Sequence, residues 1–387
     1  MTIFEAGYYT HVKKCFLLAG TWPEQSKFLS YTIRTIFIGV CMACMTPAFV
    51  HIIHCWGNFS EFIVCLPIQG AASIGFLKYC LILAKQSLIS KIINIINDDW
   101  ELYNKTQKIS EAMHISAVKG SQFTLYYIYF MTAAAILFSA SSYIPIVLDI
   151  VNPLNESRLK TFPYEVDYVD TSNVYSYMRI HILWLIVAFI LIVWIFTTDC
   201  FILMMVEHCS SLFHVVGVIL EELETKNSRN TEKHEKNIIS RAIVVHQHAI
   251  MLSELIESFV TVMYGAVFLI DMTIISIGGF HMILKWEDKN EVMKMAVFII
   301  TLSSVLFFNT IPSQRLINNS ENVFYRIADC QWTDLTVKSQ ILIQMMLIRS
   351  IQVSTLTAGK VYPINMKNFS KIMKTSMSYF TVLKSMQ

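Results

Sequence analysis

The chain has 387 residues, 55% hydrophobic and 15% charged, with a formal net charge of +2 and a mean hydropathy of +0.51. A water-soluble domain carries about a quarter charged residues, so this chain lacks the polar side chains to cover a globule in water, and its apolarity is too widespread for a single anchor. The weak net charge and the lack of basic clusters interleaved with aromatics exclude a nucleic-acid binder, and the solvent that fits is a bilayer.

The first thirty residues hold only a short apolar run around Phe16–Ala19, shorter than the core of a cleavable signal peptide, and none is expected. A membrane-crossing helix needs roughly 20 predominantly apolar residues. Candidates follow at about 31–53, 62–84, 122–148, 179–206, 258–284 and 293–311, with a less hydrophobic final pair of segments within 337–386. Only helices or closed barrels satisfy every backbone polar group in lipid. These runs are too long and continuous for barrel strands, so the expected class is all-α with seven spans.

Lysine and arginine set the orientation. With the N-terminus inside, segments 1–30, 85–121, 207–250 and 312–338 carry sixteen Lys and Arg, whereas 54–61, 149–178, 285–292 and the tail from 384 carry five. An intracellular N-terminus and, after seven spans, an extracellular C-terminus are expected, the reverse of a G-protein-coupled receptor. The 149–178 loop also lacks the cysteine such receptors use there, and no Asn-Pro-x-x-Tyr closes the chain. Segments 85–121 and 207–250 keep a helical apolar face (Leu88, Ile92, Ile95, Ile96; Ile238, Ile239, Ala242, Val245) and read as cytoplasmic extensions of the spans. Lys226–Lys236 reads as a flexible linker. On the outer side, Asn155 is the glycosylation candidate, with Asn58 too close to the membrane.

Charges inside spans are costly and need partners. Lys78 and Asp199 lie at similar depth and are expected to pair, tying the second span to the fourth. Asp271, in the middle of the fifth, is protonated, holds a neighbouring helix, or touches a ligand. The nine cysteines sit mostly in apolar stretches and read as packing residues. His51 with His54, and Cys41 with Cys44, lack further ligands in sequence; no zinc-protease or phosphate-cradle motif occurs, so neither a metal, a cofactor nor an enzyme is expected.

In the last helix Lys367, Lys371, Lys374, Ser378, Val382 and Ser385 recur at steps of three and four on one face, with Met366, Phe369, Met373, Phe380 and Leu383 on others. A polar stripe in the membrane faces protein or water: either this chain's own helices or a pore shared by several subunits. The segment Thr375–Leu383 (TSMSYFTVL), preceded by Thr357-Ala358-Gly359-Lys360 and Pro363, resembles the closing motif of insect odorant receptors, and Gly20-Thr21-Trp22-Pro23 is similar to a Gly-x-Trp-Pro near the start of many hymenopteran members.

That resemblance implies the tuning subunit of a tetrameric, heteromeric, ligand-gated, non-selective cation channel in the plasma membrane of sensory dendrites, assembled with odorant co-receptor subunits around the last helix. It places the six-helix odorant-binding domain in 1–336 and an anchor helix plus pore helix in 337–387. It implies a gate at Tyr379, Val382, Ser385 and Met386, above pore-lining Lys371, Lys374 and Ser378. For a volatile, mostly apolar ligand it implies Ala72 and Phe76 from the second span, Ser139 and Tyr143 from the third, and His181, Trp184 and Ala188 from the fourth. The fifth contributes Phe268, Met272 and Phe280, and the sixth Phe298. Lysines on a cation-conducting face depart from what four identical subunits would tolerate, and suggest a minority subunit. A gustatory-type homomeric channel is the alternative; its usual Thr-Tyr-x-x-x-x-Gln-Phe ending differs from Ser378–Leu383 here.

Overall fold

The computed structural model describes residues 3–5, 7–103, 106–152, 158, 174–223 and 232–385. Among these the chain forms eleven α-helices and one two-residue strand pair. The helices are α1 (Thr10–Leu18), α2 (Lys27–His54), α3 (Phe59–Ala84), α4 (Gln86–Tyr103), α5 (Gln107–Ser141), α6 (Ile144–Val151), α7 (Val174–Leu220), α8 (Glu232–Leu284), α9 (Lys289–Asp329), α10 (Val337–Ser350) and α11 (Met366–Ser385). Six of them, α2, α3, α5, α7, α8 and α9, are long and apolar enough to cross a membrane. The seventh expected span, α11, has the length at 20 residues but not the apolarity. The chain is a helical, multi-pass membrane protein.

The 47 residues of α7 and the 53 of α8 correspond to roughly 70 and 80 Å at 1.5 Å per residue, against a hydrocarbon core of about 30 Å. Much of each helix therefore stands outside the bilayer, as the expected extensions require. α7 is the central post, packing on α1, α2, α3, α5, α8 and α9. One apolar core runs along its C-terminal half through Phe201, Phe213, Phe259, Ile256 and Val216. A second joins α2, α3 and α7, where Tyr79 stacks on Trp194 with ring centroids 4.4 Å apart. Around the outside, Tyr126, Ile136, Phe189, Val262, Leu269 and Ile300 are exposed, a display of large apolar residues that water would not tolerate and lipid does.

Three boundaries differ from the sequence reading. The third span ends at Ser141, not 148, and α6 follows as a separate short helix. Pro145 near its start has no N–H to continue the preceding helix. Segment 85–121 is not one extension: α3 stops at Ala84, α4 is its own amphipathic helix, and only α5 runs on into the membrane. The linker is shorter than read, because α8 starts at Glu232 and takes in Glu232–Lys236; 226–231, like Asn155 and Met386, lie outside the described residues.

Candidate ligand pocket and pore face

Between α10 and α11, Thr357–Ala358 pairs antiparallel with Tyr362–Pro363. Gly359 (φ 65°) and Lys360 (φ 61°), the central residues of a turn closed by the Val361 N–H on the Ala358 carbonyl, both take the left-handed conformation that a primed turn demands. The hairpin is pinned to α8. The Gly359 N–H donates to the Thr261 carbonyl at 2.7 Å, the Lys360 N–H to Thr261 Oγ1 at 2.9 Å, and the Thr357 N–H to Glu257 Oε2 at 2.8 Å. Gly265 lies so close that a Cβ there would stand 3.1 Å from the Gly359 nitrogen.

From this anchor α11 runs along α8 and α9. Asn368, Ile372 and Ser376 are buried. Phe369 meets Phe307 with ring centroids 5.7 Å apart, and Phe380 fills the space over Gly279, where a Cβ would come within 2.9 Å of its Cδ2. Ser276 Oγ donates to the Ser376 carbonyl at 3.1 Å. The opposite face carries Lys367, Lys371, Lys374, Ser378, Tyr379, Val382 and Ser385, all exposed. The polar stripe does not pack against this chain's own helices.

Near the start of α7, the rings of Tyr143 and His181 meet edge-on at 4.4 Å, and Tyr177 stacks on His181 at 5.9 Å. Tyr177 is held by its hydroxyl, which donates to the Ser142 carbonyl at 3.0 Å. His181 is fully buried, and neither ring nitrogen has a hydrogen-bond partner among the described residues. A buried polar group left unmatched costs about 1–3 kcal/mol, so this imidazole has a hydrogen bond to offer a ligand or a water. Phe298 packs on Phe138 at 5.8 Å, with Ser139 and Ala188 half-buried.

The remaining candidates are dispersed. Trp184 belongs to the α2–α3–α7 cluster, and Phe76, 37% exposed, lies 6.0 Å from Trp194 at the same cluster's edge. Ala72 and Phe280 are buried. Phe268 packs on Tyr264 at 5.5 Å. Met272 lies on the α8–α11 contact, its carbonyl accepting from Ser276 Oγ at 2.8 Å and from Ser376 Oγ at 3.5 Å. The sequence reading missed Tyr177 and Phe138; the spacing of Tyr177 one turn before His181 could have found the first.

Deeper in, the expected pair forms. Lys78 Nζ lies 2.7 and 2.8 Å from the two Asp199 carboxylate oxygens, and the Tyr127 hydroxyl donates to the same carboxylate at 2.5 Å, so α3, α5 and α7 meet at one buried charge. Asp271, also buried, feels both Lys78 and Asp199.

The family model described as 7tm Odorant receptor matches residues 58–377. Odorant receptor 13a of Drosophila melanogaster is 23% identical over 260 residues, 62% of this chain and 62% of the relative's length. The insect olfactory receptor OR5 of Machilis hrabei in complex with eugenol superposes with a TM-score of 0.80 at 10% identity, over 99% of this chain and all of that one. A second structure of the same receptor gives 0.77 at 11% identity, over 100% of this chain and 99% of that one. At these identities the structural likeness shows the fold alone.

Proposed function

The chain belongs to the 7tm odorant receptor family, and from that premise we propose that it is the ligand-tuning subunit of an odour-gated, non-selective cation channel, assembled with co-receptor subunits in the plasma membrane of sensory dendrites. The observation that carries the channel reading is the exposed face of α11, where Lys371, Lys374, Ser378, Tyr379 and Val382 stand away from their own subunit. In lipid such a stripe is untenable; around a central axis with other subunits it lines water. Residues 337–387 then serve as anchor and pore, and 1–336 as the ligand-binding part. The N-terminus is cytoplasmic and the C-terminus outside.

A small apolar ligand beside Tyr143, Tyr177 and His181 gains apolar contact and one hydrogen bond from the imidazole. α8 is the transmission element, because it is fastened to α11 at Ser276 and Gly279 and to the hairpin before α11 at Thr261. Val382, 54% exposed, belongs to an apolar constriction that gates by excluding water, to which the family resemblance adds Met386, with Ser385 at the polar position between them. The ligand opens it only by binding the open arrangement better than the closed one. The Machilis receptor in complex with eugenol is the precedent for a small organic ligand on this fold.

The test is current recording across an odorant panel in cells expressing this chain alone and with the co-receptor. Odour-evoked cation current only with the co-receptor is expected. Comparable current from this chain alone would overturn the minority-subunit reading, and His181→Phe should weaken the response to the best ligand about tenfold, one hydrogen bond's worth.

A further inference from the structure

At the turn where α2 hands over to α3, three donors from two helices converge. His51 and Cys55 are four residues apart, and the Cys55 N–H still bonds the His51 carbonyl at 2.9 Å, so helical geometry holds their side chains on one face. Cys65, near the start of α3, reaches back to them. The ligand atoms of all three lie within 4.8 Å of one another, with His51 and Cys55 buried and Cys65 half-buried. The Cys55 Sγ is 3.6 Å from His51 Nε2.

That last distance is informative. With Zn–S of about 2.3 Å and Zn–N of about 2.0–2.1 Å at tetrahedral angles, the N···S edge comes out at about 3.6 Å. The N···S separation already matches that edge, and a turn of the imidazole, whose Nδ1 also lies 4.0 Å from the sulfur, aims the Nε2 lone pair at the ion. The 4.8 Å bound on the other separations leaves at most about 1 Å of closure to reach the roughly 3.8 Å expected between two thiolates on one zinc. Trp56 and Phe62, rings 5.5 Å apart and edge-on, brace the turn from outside, and Gly57 at φ 116° lets the chain reverse. A disulfide between the two cysteines would make no use of the imidazole beside them.

We infer that His51, Cys55 and Cys65 form a binding site for a thiophilic metal ion of the Zn2+ class, clamping the α2–α3 hairpin. Binding replaces the two thiol protons, which leave to solvent, and the neutral imidazole donates its lone pair; no electron is transferred. Three protein ligands leave the fourth position to water or another small donor, reached past the half-buried Cys65. The ion would fix the outer ends of α2 and α3 relative to each other.

The test uses the full-length receptor purified in detergent, titrated with Zn2+ against a chromophoric chelator and separately with Co2+. One ion per chain, with the thiolate-to-Co2+ charge-transfer band, is expected. Cys55→Ser and Cys65→Ser should each remove the band and weaken Zn2+ binding at least tenfold, since loss of even an outer-shell partner costs 10–100-fold. His51→Ala should weaken binding while keeping thiolate character in the band. Cys41→Ser with Cys44→Ser, on the same helix, should leave both readouts unchanged and controls for folding. No band, binding indifferent to Cys55 and Cys65, or a Cys55–Cys65 disulfide in the unreduced peptide digest would each overturn the inference.

Discussion

Asp99 on α4 receives imidazoles from two other helices, His208 of α7 at 2.9 Å and His248 of α8 at 2.7 Å. Burial pushes the Asp99 carboxyl up, but its close contacts with both imidazoles more than reverse this and hold it below the ordinary value; the contact with Asp99 raises His248 against its own burial. For His248 the raised value means a contribution that is full below the free imidazole value of about 6.5 and fades as pH rises through the folded one. For Asp99 the lowered value means a contribution that is full above about 3.9 and fades as pH falls through the folded one. The three-helix junction is therefore tightest between about pH 4 and 6.5. Amide exchange across Gln86–Tyr103 should be slower at about pH 5.5 than at about pH 8.5 once corrected for intrinsic rates, and His248→Gln should erase the difference. Equal protection at both pH values in the unaltered receptor would refute this.

Lys78 and Asp199 give the second prediction at this scale. Removing one partner strands a buried charge at a cost of about 3–5 kcal/mol, whereas replacing both by apolar residues of similar size is often near neutral. Lys78→Ala should therefore abolish surface expression, and Lys78→Met combined with Asp199→Leu should recover much of it, short of the Tyr127 bond it also loses. A double variant no better than the single one would assign the pair a role beyond neutralising its own charge. This pair was readable in the sequence, because a bilayer leaves a mid-span lysine and aspartate few alternatives to each other. The Asp99 junction was not: Asp99 lies 109 or more positions from either histidine, and nothing local marks a solvated histidine from a paired one.

At the scale of elements, the α8–α11 contact is narrow because glycine makes it so. A Cβ at position 279 would sit 2.9 Å from Phe380 Cδ2, so Gly279→Ala must displace the ring, and with it α11. Overpacking of this kind costs about 1–3 kcal/mol, enough to move the concentration for half-maximal odorant response by about fivefold or more. Phe380→Leu should restore room, and the two substitutions should be strongly non-additive; simple additivity would place the coupling elsewhere. Gly265→Val is the harsher case, since its neighbour is the Gly359 backbone, which cannot rotate away. Thr357-Ala358-Gly359-Lys360 and Pro363 were visible in the sequence as the lead-in to the closing motif, but that they fold as a hairpin strapped to Glu257 and Thr261 came only with the structure, because a two-residue strand has no periodicity to detect.

At the scale of the molecule, the pore face makes a charge prediction. If α11 lines a shared axis, Lys371→Gln with Lys374→Gln should raise the permeability of the co-assembled channel to divalent relative to monovalent cations, because a fixed positive charge near the path repels divalents more strongly. Unchanged selectivity would place these lysines away from the ion path.

The sequence by itself determined the solvent, the helical class and six of the crossings, because length and apolarity are additive along a chain and a bilayer reads them directly. It also set out the amphipathic stripe of the last helix, since a step of three and four is a local property. Only the tertiary structure decided which of the candidate side chains meet, splitting Tyr143 and His181 from Trp184 and Met272, and only it carried Cys65 to His51. Both depend on how helices rotate and cross, and that is fixed by packing between segments far apart in the chain, where no short-range pattern reaches.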